Sequence, residues 1–255
     1  MEVYAGQFVV FVLLLVRTTS LIVTAPILGH QAVPFQIKVG LGLFLAFVLF
    51  PLQSSIVGTI DLKLLGIVLI ALQEIIVGIT IGFGIGLVFA GVRYAGELIG
   101  YDMGFSIAAS FDPETNASVP VIGEVLYTFT ALIFILLNGH HFVLEALTLS
   151  YKAVPIGQWS MSAVAADKFI GMVGMMFAVA VKFAAPAIVA LFLTNIALAV
   201  LTRMMPQMNI FGVAFPLKIG VGIVVLSASF PVLVLVFKKV LSLFEGSVID
   251  LVKVM

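Results

Sequence analysis

The chain has 255 residues, of which 63% are hydrophobic and 9% are charged, and it contains no cysteine. A soluble domain has about 45–50% apolar and about 25% charged residues, so this composition is that of a membrane protein. Twelve basic and twelve acidic residues cancel, which gives no indication of a nucleic-acid surface, and the lack of cysteine excludes disulfides and thiolate metal sites.

Six apolar segments follow one another along the chain, and each is close to or longer than the roughly 20 residues that span the hydrocarbon as a helix. They cover residues 8–28, 39–57, 64–91, 119–139, 169–201 and 219–237. The first has no basic flank and no small-residue cleavage site, so it is expected to be retained structure and not a signal peptide. Short alternating segments, typical of barrel strands, are absent from the sequence. The predicted fold class is therefore all-α and polytopic.

Several of these segments are not simple spans. Pro51 interrupts the second, while the third and fifth are much longer than a membrane requires. Residues 140–168 are less apolar and predict a short helix followed by a turn at Pro155 and Gly157. Long, interrupted helices arranged as hairpins are the expected result.

Arg17, Glu74 and Lys182 lie within the first, third and fifth apolar segments. A basic residue at the centre of a membrane helix costs about 2.5–3.5 kcal/mol, so each of these charges should have a partner. One interpretation is a polar conduit or proton relay. The other is a set of buried salt bridges between helices, within the chain or with a neighbouring subunit.

Two series of glycines recur at intervals of four. The stretch "GITIGFGIG" contains Gly78, Gly82 and Gly86, and "GELIGYDMG" contains Gly96, Gly100 and Gly104. Glycines at this spacing share one helix face and let another backbone approach closely. The pattern predicts tight helix packing, as in a subunit of an oligomer.

The stretch "NGHHFVLEAL" contains the adjacent residues His140 and His141, and Glu145 follows His141 by four residues. A metal or proton-transfer pair on one helix face is conceivable. However, a zinc protease motif needs two imidazoles spaced by four, and these two are adjacent. A role at a helix start, together with Asn138 and Gly139, is the alternative. No nucleophile with a base and no phosphate loop occurs, so no enzyme, cofactor or metal site is predicted.

The stretch "GFSIAASFDPETNASVP", Gly104–Pro120, is polar, acidic and rich in small residues between two apolar segments. By composition alone it reads as an exposed connection between two membrane helices.

Four stretches together resemble the family of flagellar biosynthetic protein FliR and its injectisome counterparts, subunits of the type III secretion export gate. They are "RTTSLIVTAPILGHQAVPFQIKVGL" (Arg17–Leu41), "FDPETNASVPVIGEVLYTFTALIFILLNGHHFVLEAL" (Phe111–Leu147), "FAAPAIVALFLTNIALAVLTRMMPQMNIF" (Phe183–Phe211) and "FPLKIGVGI" (Phe215–Ile223). Each is moderately specific alone. In this order and at these separations they are highly specific, and the resemblance covers nearly the whole chain.

The resemblance implies a helical hetero-oligomer with FliP and FliQ at the inner-membrane base of the flagellum, with FlhB and FlhA nearby. Unfolded flagellar proteins would pass through its pore. It also implies that residues 1–168 are similar to FliP and residues 169–255 to FliQ.

In this family the loop corresponding to Gly104–Pro120 plugs the closed pore together with methionines of FliP. The plug residues implied here are Gly104, Phe105, Ser106, Ile107, Ala108, Ala109, Ser110 and Phe111.

Two rival functions remain open at this stage. A secondary transporter of a small solute would use Glu74, Lys182 and Asn195 near the middle of the membrane on broken helices. A membrane enzyme would use His140, His141 and Glu145.

Overall fold

The computed structural model describes residues 2–53, 64–105, 120–160, 162–207 and 209–255. Within these residues, all regular secondary structure is helical. The helices are α1 (Glu2–Thr24), α2 (Phe35–Gln53), α3 (Leu64–Met103), α4 (Val121–Leu136), α5 (Gly139–Ala153), α6 (Ala163–Met204) and α7 (Ile210–Val254). The all-α prediction is confirmed.

Within the described residues, four helices are long and apolar enough to cross a membrane, namely α1, α3, α6 and α7. The pair α4 and α5, bent by 72°, makes a fifth candidate span, and α2 is a shorter apolar helix. The chain is thus a multi-pass membrane protein. Its predicted place in a helical hetero-oligomer stays a prediction.

Two helices extend well beyond the apolar segments that predict them. Helix α3 continues from residue 91 to Met103, and α7 continues from residue 237 to Val254. The last part of α7 is amphipathic, since Leu241, Phe244 and Val248 are buried at helical spacing. Hydropathy alone misses such a segment because charged residues on the opposite face lower its average.

The bend between α4 and α5 has a local cause. Asn138, the residue before α5, has a left-handed backbone with φ of 60°. Asparagine tolerates this conformation better than other residues with a Cβ. A Cβ at the following Gly139 would overlap the ring of Phe134, so glycine lets the chain turn closely past that ring.

The chain divides into two compact units. Unit 1 comprises Met1–Leu87, Phe134–Val173 and Ser242–Met255, and unit 2 comprises Val88–Ile133 and Gly174–Leu241. In unit 1, α1 buries one face that includes Val10, Leu14 and Leu21. In unit 2, the ring of Phe89 lies 5.8 Å from that of Tyr127 and 6.3 Å from that of Phe237. The predicted likeness of residues 1–168 and 169–255 to two different proteins stays a prediction.

Candidate functional site

Arg17 of α1 and Glu74 of α3 form an ion pair in the interior of unit 1. Both side chains have no exposed surface, and the pair is bidentate. Arg17 Nε donates to Glu74 Oε2, and Nη2 donates to Oε1 over 3.0 Å. This parallel geometry is the strongest arrangement for a guanidinium and a carboxylate.

The remaining polar atoms of this pair are also occupied. Arg17 Nη1 donates to the carbonyl oxygens of Ser150 (3.1 Å) and Val154 (2.9 Å), at the end of α5. Glu74 Oε1 also accepts from the backbone N–H of Gly157 over 3.1 Å. The pair therefore connects α1 and α3 to the turn after α5.

A tyrosine completes the network. The guanidinium carbon of Arg17 lies 4.4 Å from the ring centre of Tyr151, a cation–π distance. The Tyr151 hydroxyl donates to the carbonyl of Leu14 and lies 3.1 Å from the hydroxyl of Thr18. Because every charged group here is buried and satisfied, the arrangement can hold helices in register but offers no free group to a substrate.

The first glycine series brings α3 against α1 next to this ion pair. A Cβ at Gly78 would lie 2.5 Å from the carbonyl oxygen of Arg17, and one at Gly82 would lie 2.8 Å from that of Leu21. Neither contact is possible for a real side chain. At Gly86 the nearest atom, the carbonyl oxygen of Thr24, would be 3.8 Å away, which is an ordinary contact. Gly78 and Gly82 thus serve packing within the chain.

The second series brings α3 against α4 in unit 2. A Cβ at Gly96 would lie 2.5 Å from the Cα of Gly123, so the two backbones meet at a glycine–glycine contact. A Cβ at Gly100 would lie 3.7 Å from Ile122, which leaves room for it. Of this series, Gly96 is the position that requires glycine for packing, and its counterpart Gly123 was not singled out from the sequence.

Arg93 also joins these two helices. Its guanidinium lies 3.8 Å from the carboxylate of Glu97 on α3 and contacts that of Glu124 on α4. The side chains of all three are between 37% and 47% exposed. Because solvent screens these charges, breaking this cluster should lower stability much less than breaking the buried pair in unit 1.

The Gly96–Gly123 contact and the Arg93 cluster fix the part of α3 and α4 that leads into the predicted plug loop. Gly104 ends α3 with φ of 90°, a conformation that favours glycine. The ring of Phe105 packs edge-on at 6.3 Å against that of Phe215 on α7. The other predicted plug residues, 106–111, lie outside the described residues.

His140 and His141 lie at the start of α5, and their ring centres are 4.3 Å apart. Among the described residues, no group of three or more His, Cys, Asp or Glu could hold a metal ion. His140 instead borders an apolar cavity of about 270 Å³ between α1, α2 and α5.

Lys182 lies on α6, and on the single chain its side chain is exposed. The predicted burial of Lys182, which allows for a partner in a neighbouring subunit, stays a prediction. Any burial of Lys182 must therefore come from another molecule.

The long apolar helices and the buried ion pair between them define an integral membrane protein. The sequence matches the family described as bacterial export proteins, family 1, over residues 8–244. The chain belongs to this family.

Several similar proteins carry the same name. The chain is 34% identical over 241 residues to flagellar biosynthetic protein FliR of Bacillus subtilis, which covers 92% of each chain. It is 34% identical over 220 residues to flagellar biosynthetic protein FliR of Escherichia coli, with 86% of this chain and 83% of the relative covered. It is 29% identical over 236 residues to the protein of that name in Aquifex aeolicus, with 91% and 90% covered. The resemblance to the FliR family is confirmed.

Proposed function

We propose that this chain is a structural and gating subunit of the flagellar type III export gate in the bacterial inner membrane. It joins FliP and FliQ in a pore complex at the flagellar basal body, near FlhA and FlhB. Unfolded flagellar proteins cross the membrane through this pore. The chain is an export subunit and not an enzyme.

The observation that carries this proposal is similarity over almost the full length. The matched relatives are flagellar biosynthetic proteins, and the family is one of bacterial export proteins. Both names support a component of the flagellar export apparatus. The pore with FliP and FliQ goes further and rests on the resemblance of the four sequence stretches.

The contacts at the two ends of the segment Gly104–Pro120 support a gating role. One end is held by the Phe105–Phe215 contact, and the helices at both ends are held by the Gly96–Gly123 contact and by Arg93. A loop with firm ends and small residues between them can block a lumen and still move aside for an unfolded chain.

The transporter alternative is disfavoured by the state of Glu74. A transporter that used Glu74 would need this carboxylate to exchange protons or ions, but both oxygens of Glu74 accept from Arg17, and Oε1 also accepts from the backbone N–H of Gly157. The enzyme alternative has no support from the geometry at His140, which borders an apolar cavity, or at the adjacent His141, since no group of three or more His, Cys, Asp or Glu among the described residues could hold a metal ion.

Co-purification tests the assembly directly. The tagged chain, extracted in mild detergent from cells that produce the flagellar export proteins, is expected to run on a native gel as a large complex that contains FliP and FliQ. A transporter would run as a monomer or a small homo-oligomer. Recovery without FliP and FliQ would contradict the proposal.

Deleting residues 106–117 tests the gate. By composition, residues 106–117 include few large apolar side chains, so at about 25 cal/mol per Å² they can add little to folding, and the complex should still assemble. The expected result is increased ion conductance and increased sensitivity of cells to small molecules. The control replaces the same residues by a Gly/Ser segment of equal length, which separates the effect of loop length from that of loop sequence. A deleted form that assembles and stays as tight as the wild type would contradict the gating role.

A further inference from the structure

The part of α6 that belongs to unit 2 shows one continuous exposed stripe. Buried positions include Val179, Phe183, Ala187 and Leu191, which follow one another at helical spacing. The opposite face is exposed from Gly174 to Val200, a length of about 39 Å at 1.5 Å per residue. We call this face the α6 stripe. Its members are Gly174, Phe177, Ala178, Val181, Lys182, Ala185, Pro186, Val189, Phe192, Leu193, Ile196, Ala197 and Val200.

The α6 stripe is apolar except at one position. Phe177, Val181, Val189 and Phe192 are each 50–60% exposed, which is unusual for side chains of this size outside an interface or a membrane. Lys182 is the single charged member. Among the described residues no carboxylate lies within 4.0 Å of its ammonium group, in contrast to Lys168 of the same helix, which lies 3.8 Å from Asp250.

The residues next to Lys182 on the α6 stripe have small side chains. Ala178 precedes it by one helical turn, and Ala185 and Pro186 follow it by one turn, all on the same face. Small residues allow another helix to approach closely. Pro186 has no N–H, so it cannot donate to the carbonyl oxygen of Lys182, four residues before it. The ammonium group of Lys182 is thus a cationic donor, and its carbonyl oxygen is an acceptor without the usual helical bond from residue 186. Both belong to the part of the α6 stripe where the neighbouring side chains are small.

We infer that the α6 stripe is a docking surface for an apolar helix of a neighbouring subunit, and that this helix carries an Asp or Glu that pairs with Lys182. The inference rests on the proposed function, because it requires a hetero-oligomer. Charge complementarity selects the occupant. Lipid chains can cover the apolar residues, but they supply no carboxylate at the depth of Lys182, and an unpaired ammonium in hydrocarbon is costly.

Substitutions of Lys182 test the pairing. The measured quantity is the fraction of the chain recovered in the hetero-oligomer on a native gel, divided by the amount in the membrane fraction. Lys182→Arg keeps the charge and should assemble like the wild type. Lys182→Met should reduce assembly several-fold, and Lys182→Glu by about tenfold or more, because like charges meet at a buried contact.

Lys168→Met is the matched control. It is the same change in the same helix, but the partner Asp250 belongs to the same chain and both side chains are partly exposed. Assembly should change by less than about twofold. Reversing the charge of one acidic residue in a helix of FliP or FliQ should restore assembly of Lys182→Glu.

A photocrosslinking residue in place of Ala178 or Ala185, with Lys182 intact, keeps the inference testable even if a Lys182 variant fails to fold. Crosslinks to a helix of another subunit next to an acidic residue are expected. Crosslinks to lipid alone, or Lys182→Met and Lys182→Glu that assemble like the wild type, would overturn the inference while leaving the proposed function intact. A wild-type chain that enters no hetero-oligomer would overturn both.

Discussion

Arg17 and Lys182 are both basic residues inside long apolar helices, but the structure treats them differently. Arg17 is fully buried and its guanidinium is bonded to Glu74 and to the carbonyls of Ser150 and Val154. Lys182 is exposed, on a face of α6 that is otherwise apolar. The cost of a charge in an apolar helix is the same physical quantity in both cases. What differs is where the compensating group lies, within the chain for Arg17 and, in our inference, in a neighbour for Lys182.

This comparison implies that substitutions in the two regions should damage different properties. Changes at the Arg17 network should lower the stability of the isolated chain. Changes at the α6 stripe should leave the isolated chain stable and lower assembly.

The largest expected effect is that of Arg17→Met. It leaves the carboxylate of Glu74 buried without its cation, which typically costs about 3–5 kcal/mol. The measurement is the free energy of unfolding of the purified chain in mixed detergent micelles.

The control for this prediction is the double variant Arg17→Met/Glu74→Met. It removes both charges, so the loss should be clearly smaller than the sum of the two single losses. A loss below about 1 kcal/mol in the Arg17→Met variant would contradict the view that this pair holds unit 1 together.

An intermediate effect is expected for Gly82→Ala, which tests the helix contact beside the ion pair. The new Cβ would lie 2.8 Å from the carbonyl oxygen of Leu21, so α1 and α3 must separate, at a cost of about 1–3 kcal/mol.

Gly100→Ala is the matched change. Its Cβ would lie 3.7 Å from Ile122, and alanine is the better helix former by up to about 1 kcal/mol. The free energy of unfolding should therefore fall for Gly82→Ala and stay equal or rise for Gly100→Ala. Equal losses in both variants would show that the glycine spacing, and not the local contact, sets the cost.

The smallest effect is expected for Arg93→Met. Its side chain is 47% exposed, and it pairs with Glu97 and Glu124, which are also partly exposed. Solvent screening reduces such pairs to about 0–1 kcal/mol. Placed beside Arg17→Met in the same unfolding assay, this variant isolates the effect of burial. If Arg93→Met lowers the free energy of unfolding as much as Arg17→Met does, then the exposure of an ion pair on the single chain does not predict how much it stabilises this protein.

Part of the fold could be predicted from the sequence because the signals are local. Apolar segments locate the helices, and glycines at Gly78, Gly82 and Gly96 mark close approaches. The ends of α3 and α7 could not be predicted in this way, since their last turns carry charged residues on one face and buried residues on the other. Partners were also out of reach: Ser150, Gly157 and Gly123 look ordinary until the helices that face them are known.

The sequence by itself determined that this is an all-α membrane protein of the bacterial export family. Composition, the length of the apolar segments and the order of the motifs do not depend on which residues are in contact. Only the tertiary structure decided which charge is paired within the chain. Arg17 and Glu74 are 57 residues apart, and nothing in their neighbours says that their helix faces meet. Pairing depends on how the helices pack. A basic residue therefore forms a buried ion pair in α1 (Arg17) and is exposed in α6 (Lys182).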